Sequence, residues 1–183
     1  MTSVVGLLLA AGAGRRFGGP KALAREPDGT SWLLRSVRAL RPCDEIVVVL
    51  GAEAEQAAAL LPMSVSRVRA DDWAEGMGAS LRAGLLALDP TDHQVALVSL
   101  VDLVDVDAAV VDRLVAAATG PGVLARAAYD GVPGHPVLLG REHWAGVVET
   151  STGDRGARDY LAAREVALVE CGDLATGADV DAR

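Results

Sequence analysis

A chain of 183 residues with a formal net charge of −8, 51% hydrophobic but only 3% aromatic, has room for one domain whose core is built of Val, Leu and Ala. That acidic balance argues against non-specific nucleic-acid binding, which needs an extended basic face, and against docking on anionic lipid. With no charged-then-apolar leader and no charge-free apolar run of membrane-spanning length, the expected setting is cytoplasmic, with no membrane or nucleic-acid partner and with Cys43 and Cys171 reduced.

Val4 to Leu9 is a continuous apolar run, as expected of a strand buried on both faces. A loop with four glycines follows, ending at Lys21. Trp32 to Leu40 has helical spacing, with Ser31 as its cap. Glu45 to Leu50 reads as a strand, Ala54 to Leu61 as a helix and Val65 to Val68 as a short strand. Ser80 to Leu88 reads as a helix with Ser80 at its start, and Val95 to Val101 as an apolar strand, interrupted only by Ser99, ending beside Asp102. A helix is expected over Asp107 to Ala118, capped by Asp105 or Asp107. Two strands, Val123 to Ala127 and Pro136 to Leu139, are joined through Tyr129–Gly134. A helix from Gly156 to Ala163 and a strand from Val166 to Cys171 end the series. Strands alternating with helices predict α/β: a single three-layer α/β/α Rossmann-like domain over residues 1–183, with a mainly parallel sheet. Ligands of such sheets bind at the carboxyl edge of the strands, where the glycine loop and Asp102 both fall.

Lys21 is the only lysine among 17 basic residues. It closes the segment Leu9-Ala10-Ala11-Gly12-Ala13-Gly14-Arg15-Arg16-Phe17-Gly18-Gly19-Pro20-Lys21. Glycines let backbone N–H groups approach a polyanion, and a lysine adds a compact point charge suited to phosphate. Gly12, Gly14 and Gly18 miss the spacing of the dinucleotide fingerprint, and no acidic residue follows at the ribose position. Pro20 and Ala22 around Lys21 also exclude a P-loop, which needs Gly-Lys-Ser/Thr.

The loop resembles the pattern Leu-Ala-Ala-Gly-x-x-x-Arg-x-Gly-x-x-Lys of the nucleotidyltransferases related to molybdenum cofactor cytidylyltransferases, the MobA-like NTP transferases. Glu75-Gly76-Met77-Gly78-Ala79-Ser80-Leu81-Arg82-Ala83-Gly84 is similar to the Glu-Gly-Met-x-x-Ser-Leu-x-x-Gly segment of that family. Leu100-Val101-Asp102, Gly134-His135-Pro136, Gly153-Asp154-Arg155-Gly156-Ala157-Arg158 and Asp179-Val180-Asp181 match its later motifs in order. Gly14 stands where serine is common, Phe17 where methionine is common, Ala70 where asparagine is common and Val104 where proline is common.

The resemblance implies a nucleotide-diphospho-sugar transferase type of fold and transfer of CMP from CTP to the terminal phosphate of molybdopterin, or its metal-loaded form, with release of pyrophosphate. Ala11 favours cytidine, because the guanylyl-transferring relatives usually carry Leu-Ala-Gly-Gly there. It further implies that Leu9, Ala10, Ala11, Gly12 and Ala13 hold the nucleotide and that Arg16 and Lys21 act on the triphosphate. Asp71 or Asp72 would serve the ribose, and Gly76 and Ser80 the base or ribose. Asp102, with Asp181 or Asp179, would hold Mg²⁺, for which hard oxygen ligands are suited. His135, Asp154, Arg155 and Arg158 would form the acceptor side, with Asp154 fixing its turn as an Asx cap. A molybdoenzyme receiving the cofactor is the implied protein partner. His93 and His143 are expected at the surface, and Trp32, Trp73 and Trp144 in packing roles. Three rival readings remain: nucleotidyl transfer from GTP or another NTP to a different phosphorylated metabolite, an NAD(P)H-dependent reductase, and a non-catalytic nucleotide-binding cofactor chaperone.

Overall fold

The apolar run Val4–Ala10 forms strand β1, buried at every position. Its side chains alternate between two cores. Val4 and Leu8 face one, and Val5, Leu7 and Leu9 face the other. In the computed structural model, which describes residues 1–181, β1 lies inside a seven-stranded sheet. The remaining strands are β2 (Glu45–Leu50), β3 (Ser66–Arg69), β4 (Val95–Leu100), β5 (Leu124–Tyr129), β6 (Val132–Gly140) and β7 (Ala167–Glu170), in the order β3-β2-β1-β4-β6-β5-β7. Only β6 runs antiparallel to its neighbours; the other pairings are parallel. The expected single α/β domain with a mainly parallel sheet is therefore what the chain forms.

Helices cover both faces. Helices α1 (Trp32–Ala39), α2 (Ala54–Leu60) and α4 (Ala108–Ala116) pack over the Val4–Leu8 face. Helices α3 (Met77–Leu88), α5 (Arg141–Thr150) and α6 (Arg158–Ala162) pack over the other. Ser31 caps α1 by accepting from the Leu34 N–H, and Asp107 caps α4 by accepting from Ala109 and Val110. Among the described residues, no helix is long and apolar enough to cross a membrane.

Several elements differ from the sequence reading. Helix α5 was not expected. It buries only Trp144 and Val147 and carries Gly146 mid-helix, so its apolar stripe is too thin to read. Helix α3 starts at Met77 with Gly76 in the capping position, which places Ser80 inside the helix rather than at its cap. The loop expected over Tyr129–Gly134 is a tight hairpin, with Asp130 and Gly131 both at positive φ between paired Tyr129 and Val132. Pro133 and Pro136 disguise that strand because proline seldom sits in a ladder. Asp105 caps nothing; it accepts from the Thr176 N–H at 2.7 Å and the Thr176 hydroxyl at 2.6 Å. His93 and His143 are half-buried tethers rather than surface residues. His93 bridges Ser3 and Glu45, and His143 bridges Tyr160 and the Gly122 carbonyl. Cys43 and Cys171 are free thiols, and burial pushes the Cys43 thiol up to about 12.

Candidate active site

Parallel register aligns Leu9 with Leu100, so β1 and β4 deliver their following loops to one edge of the sheet. After β1 the chain is anchored by the Ala11 carbonyl, which accepts from the Ala52 N–H at 2.9 Å. The loop then curls on itself, with the Gly14 carbonyl accepting from both Gly18 and Gly19. Gly14 has φ +61°, and a Cβ there would lie 1.9 Å from the Gly19 oxygen, so the serine common at this place in the resembled pattern does not fit this curl. Phe17 is buried against Trp32, ring centroids 5.0 Å apart, and pins the loop to α1. The loop's other positions remain open: no atom comes within 4 Å of a Cβ built at Gly12. Arg15 and Arg16 are exposed at the rim.

Pro20 starts a short 3-10 turn, Lys21–Leu23, whose Ala22 is buried. The turn aims Lys21 across the edge, where its Nζ lies 2.7 Å from Asp102 Oδ2. Both side chains are largely enclosed, 16% and 14% exposed. The other oxygen, Asp102 Oδ1, is buried with no hydrogen-bond partner among the described residues. A buried carboxylate oxygen without a donor needs a ligand to offset its desolvation.

That ligand site is completed from the far end of the chain. Beyond β7 a strap returns over the sheet edge, held by the Asp105–Thr176 hydrogen bonds and by Gly177 against the Tyr129 ring. Gly177 has φ +65°, and a Cβ there would come within 2.0 Å of the ring. The strap ends in a bridge between Leu103 and Asp179, and the Val180 N–H donates to the Asp102 carbonyl. Carboxylate oxygens of Asp102, Asp179 and Asp181 consequently lie within 4.8 Å of one another, and Lys21 Nζ is 3.8 Å from Asp181. Three carboxylates, one of them carrying the orphaned buried oxygen, offer hard oxygen donors that fit a divalent cation. Partial burial pushes the Asp105 carboxyl up, but hydrogen bonds from Thr176, from the Gly177 backbone and from its own backbone together hold it below its ordinary value. The strap's anchor is thus ionised at neutral pH.

These groups line an outer cleft of about 570 Å³. The segment Trp73–Met77 and Ser80 form its opposite wall. Trp73, expected to pack, does so against Gly51 while lining the cleft as well. Of the expected nucleotide residues, Leu9, Ala10, Ala11, Gly12, Ala13, Arg16, Lys21, Gly76, Ser80 and Asp102 all line this cleft. Asp71 does not. It is exposed and pairs with Arg69, while Asp72 and Glu75 are engaged by Arg82.

An inner chamber of about 350 Å³ adjoins the cleft, and the two share Leu9, Met77, Leu100, Asp154, Arg158 and Asp179. His135, Asp154, Arg155 and Arg158 all line it, as an acceptor side would require. Asp154 forms no Asx cap; its carboxylate abuts Gly76 instead. Arg155 is 3.3 Å from Asp159. Burial, reinforced by the charge of Arg126 and opposed by Asp179, lowers the His135 imidazole to about 4, so it is neutral at pH 7 and contributes no charge. Arg126 on β5 is a lining residue that the sequence does not single out, because it sits in a plain strand segment with no motif around it.

The family model described as MobA-like NTP transferase domain matches residues 6–168. The chain is 36% identical to a nicotine blue oxidoreductase of Paenarthrobacter nicotinovorans, over 97% of this chain and 92% of that one. It is also 36% identical to a probable molybdenum cofactor guanylyltransferase of Rhodopirellula baltica, over 56% of this chain and 49% of that one. Among solved structures, a Mycobacterium tuberculosis H37Rv protein in complex with manganese superposes with a TM-score of 0.75 at 24% identity, covering 98% of this chain and 94% of that one.

Proposed function

The chain belongs to the MobA-like NTP transferase domain family, whose class of chemistry is nucleotidyl transfer, and we propose that it transfers CMP from CTP to a phosphorylated small molecule of the molybdopterin kind, releasing pyrophosphate. The observation that carries this reading is the meeting of Lys21, Asp102, Asp179 and Asp181 in the outer cleft, with Asp179 lining the inner chamber as well. A nucleoside triphosphate in the outer cleft places its phosphates against the loop amides of Ala11, Gly12 and Ala13, which line that cleft. Lys21 exchanges its carboxylate partner for phosphate oxygen, and Arg16 adds charge from the rim. The acceptor enters the chamber with its phosphate directed at Arg158, which lines both spaces. Its oxygen forms a bond to the α-phosphorus as the bond to the β-phosphate oxygen breaks. That oxygen is already anionic at neutral pH, so no general base is required, in keeping with a neutral His135. The task of the protein is to position two anions and offset their repulsion. Asp102, Asp179 and Asp181 would hold the Mg²⁺, which when bound supplies charge neutralisation at the phosphate oxygens.

Ala11 in Leu-Ala-Ala-Gly favours CTP, whereas the guanylyltransferase relative argues for GTP as the competing base. Pyrophosphate release from CTP and GTP, with Mg²⁺ and a panel of phosphorylated acceptors, tests both points. Release from CTP that depends on a pterin phosphate supports the reading; no release with any NTP and acceptor contradicts it.

A second reading has one specific observation in its favour, the 36% identity to a nicotine blue oxidoreductase along nearly the whole chain. On that reading the outer cleft takes NAD(P)H, the chamber an oxidised substrate, and hydride passes between them. Metal-independent oxidation of NADPH coupled to reduction of an added quinonoid dye would establish it in place of the first.

A further inference from the structure

Arg126 is half-buried in the wall of the inner chamber, and its Nε donates to the Gly134 carbonyl at 3.0 Å. That bond fixes the guanidinium plane and leaves its forked end for a ligand. No carboxylate of the described residues pairs with it. Its charged neighbour is another cation, Arg158, and burial together with that like charge disfavours its protonated form. An unpaired, partly desolvated arginine next to a second arginine is a costly arrangement that a bound anion relieves. The acids facing the chamber, Asp154 and Asp179, lie with Arg158 on the wall shared with the outer cleft, whereas Arg126 lines the inner chamber only. The rest of the lining is largely apolar, including Leu81, Val98, Val137, Leu139 and Leu161.

We propose that Arg126, with Arg158 beside it, is the anion-holding group of the inner chamber, which takes a phosphomonoester carried on an apolar, ring-sized body. This deepens and rests on the nucleotidyl-transfer reading, in which the acceptor occupies the chamber, and it adds to that reading a residue outside every recognised motif. The planar fork suits bidentate capture of phosphate, and the apolar walls suit the body that carries it.

Phenyl phosphate is the probe, titrated calorimetrically into the nucleotide-free protein, with inorganic phosphate, phenol and benzoate in parallel. The wild type should bind phenyl phosphate most tightly of the four. Arg126→Gln should weaken it by about 10-fold or more, as loss of a charged hydrogen-bonding partner does. Arg126→Lys keeps the charge without the fork and should still bind several-fold more weakly than wild type. That second variant keeps the test decisive if the glutamine variant fails to fold, which a melting curve reports. Lys21→Ala, in the outer cleft, should change phenyl phosphate binding far less than either. The proposal is overturned if both Arg126 variants bind as the wild type does, if inorganic phosphate or benzoate binds as tightly as phenyl phosphate, or if only Lys21→Ala weakens binding. No nucleotide is present, so these results are independent of pyrophosphate release, and failure of either idea can be told from failure of the other.

Discussion

Replacing Lys21 by methionine removes the cation 2.7 Å from Asp102 and strands a carboxylate that is only 14% exposed. Breaking a fully buried ion pair costs about 3–5 kcal/mol, whereas a surface pair is worth roughly 0–1 kcal/mol. The enclosure of both side chains puts this pair nearer the buried limit, and Lys21 also offsets Asp181 at 3.8 Å. The expected loss is about 2–3 kcal/mol, which lowers the melting temperature of a chain of this size by roughly 4–12 °C. A divalent cation would offset the same carboxylates, so added Mg²⁺ or Mn²⁺ should raise the melting temperature of the variant more than that of the wild type. Turnover should fall by on the order of two or more powers of ten, because a charge has left a desolvated phosphate site. Thermal unfolding with chelator and with metal, beside a pyrophosphate assay, reads all three. A variant that melts with the wild type in chelator and gains no more from metal would refute the argument that Lys21 balances this carboxylate cluster.

Gly14→Ser forces a side chain at φ +61° into the Gly19 oxygen, so the loop must uncurl; triphosphate affinity should drop by about 10-fold or more while the far-UV spectrum stays unchanged. Gly177→Ala pushes the strap off the Tyr129 ring, and a metal titration followed by melting temperature should show weaker binding although every carboxylate is present. Asp105 has a depressed carboxyl, so its contribution to stability is complete above the ordinary aspartate range and is lost only as pH falls through the lowered value. The stability gap between wild type and Asp105→Ala should therefore be constant from about pH 8 to 5 and close in stronger acid; a gap that changes between pH 8 and 6 would contradict this.

The sheet and the glycine loop were legible because their signals are local: β1 is a continuous apolar run, β4 is apolar but for Ser99, and Lys21 is a lone lysine ending a glycine-rich turn. Helix α5 escaped because burial of two side chains leaves no readable period. The lining of the candidate cleft was legible wherever one motif carried it, as with Ala11, Lys21 and Asp102. The strap's anchors were not, because Asp105–Thr176 and Gly177–Tyr129 are long-range contacts between residues that look like ordinary loop composition. Asp71 was placed at the ribose from its neighbourhood in sequence, but the chain turns it outward to Arg69. Arg126 shows the reverse case: burial and the lack of a carboxylate partner mark it out, and neither can be read from a strand of alanines.

Calorimetric titration of CTP, GTP and NADPH, each with and without Mg²⁺, into the wild type and Asp102→Asn is the most direct test of the nucleotidyl-transfer assignment. Magnesium-dependent binding of a nucleoside triphosphate, CTP above GTP, that weakens sharply in Asp102→Asn is the predicted result. Binding of NADPH alone, indifferent to Mg²⁺ and to Asp102, would contradict it.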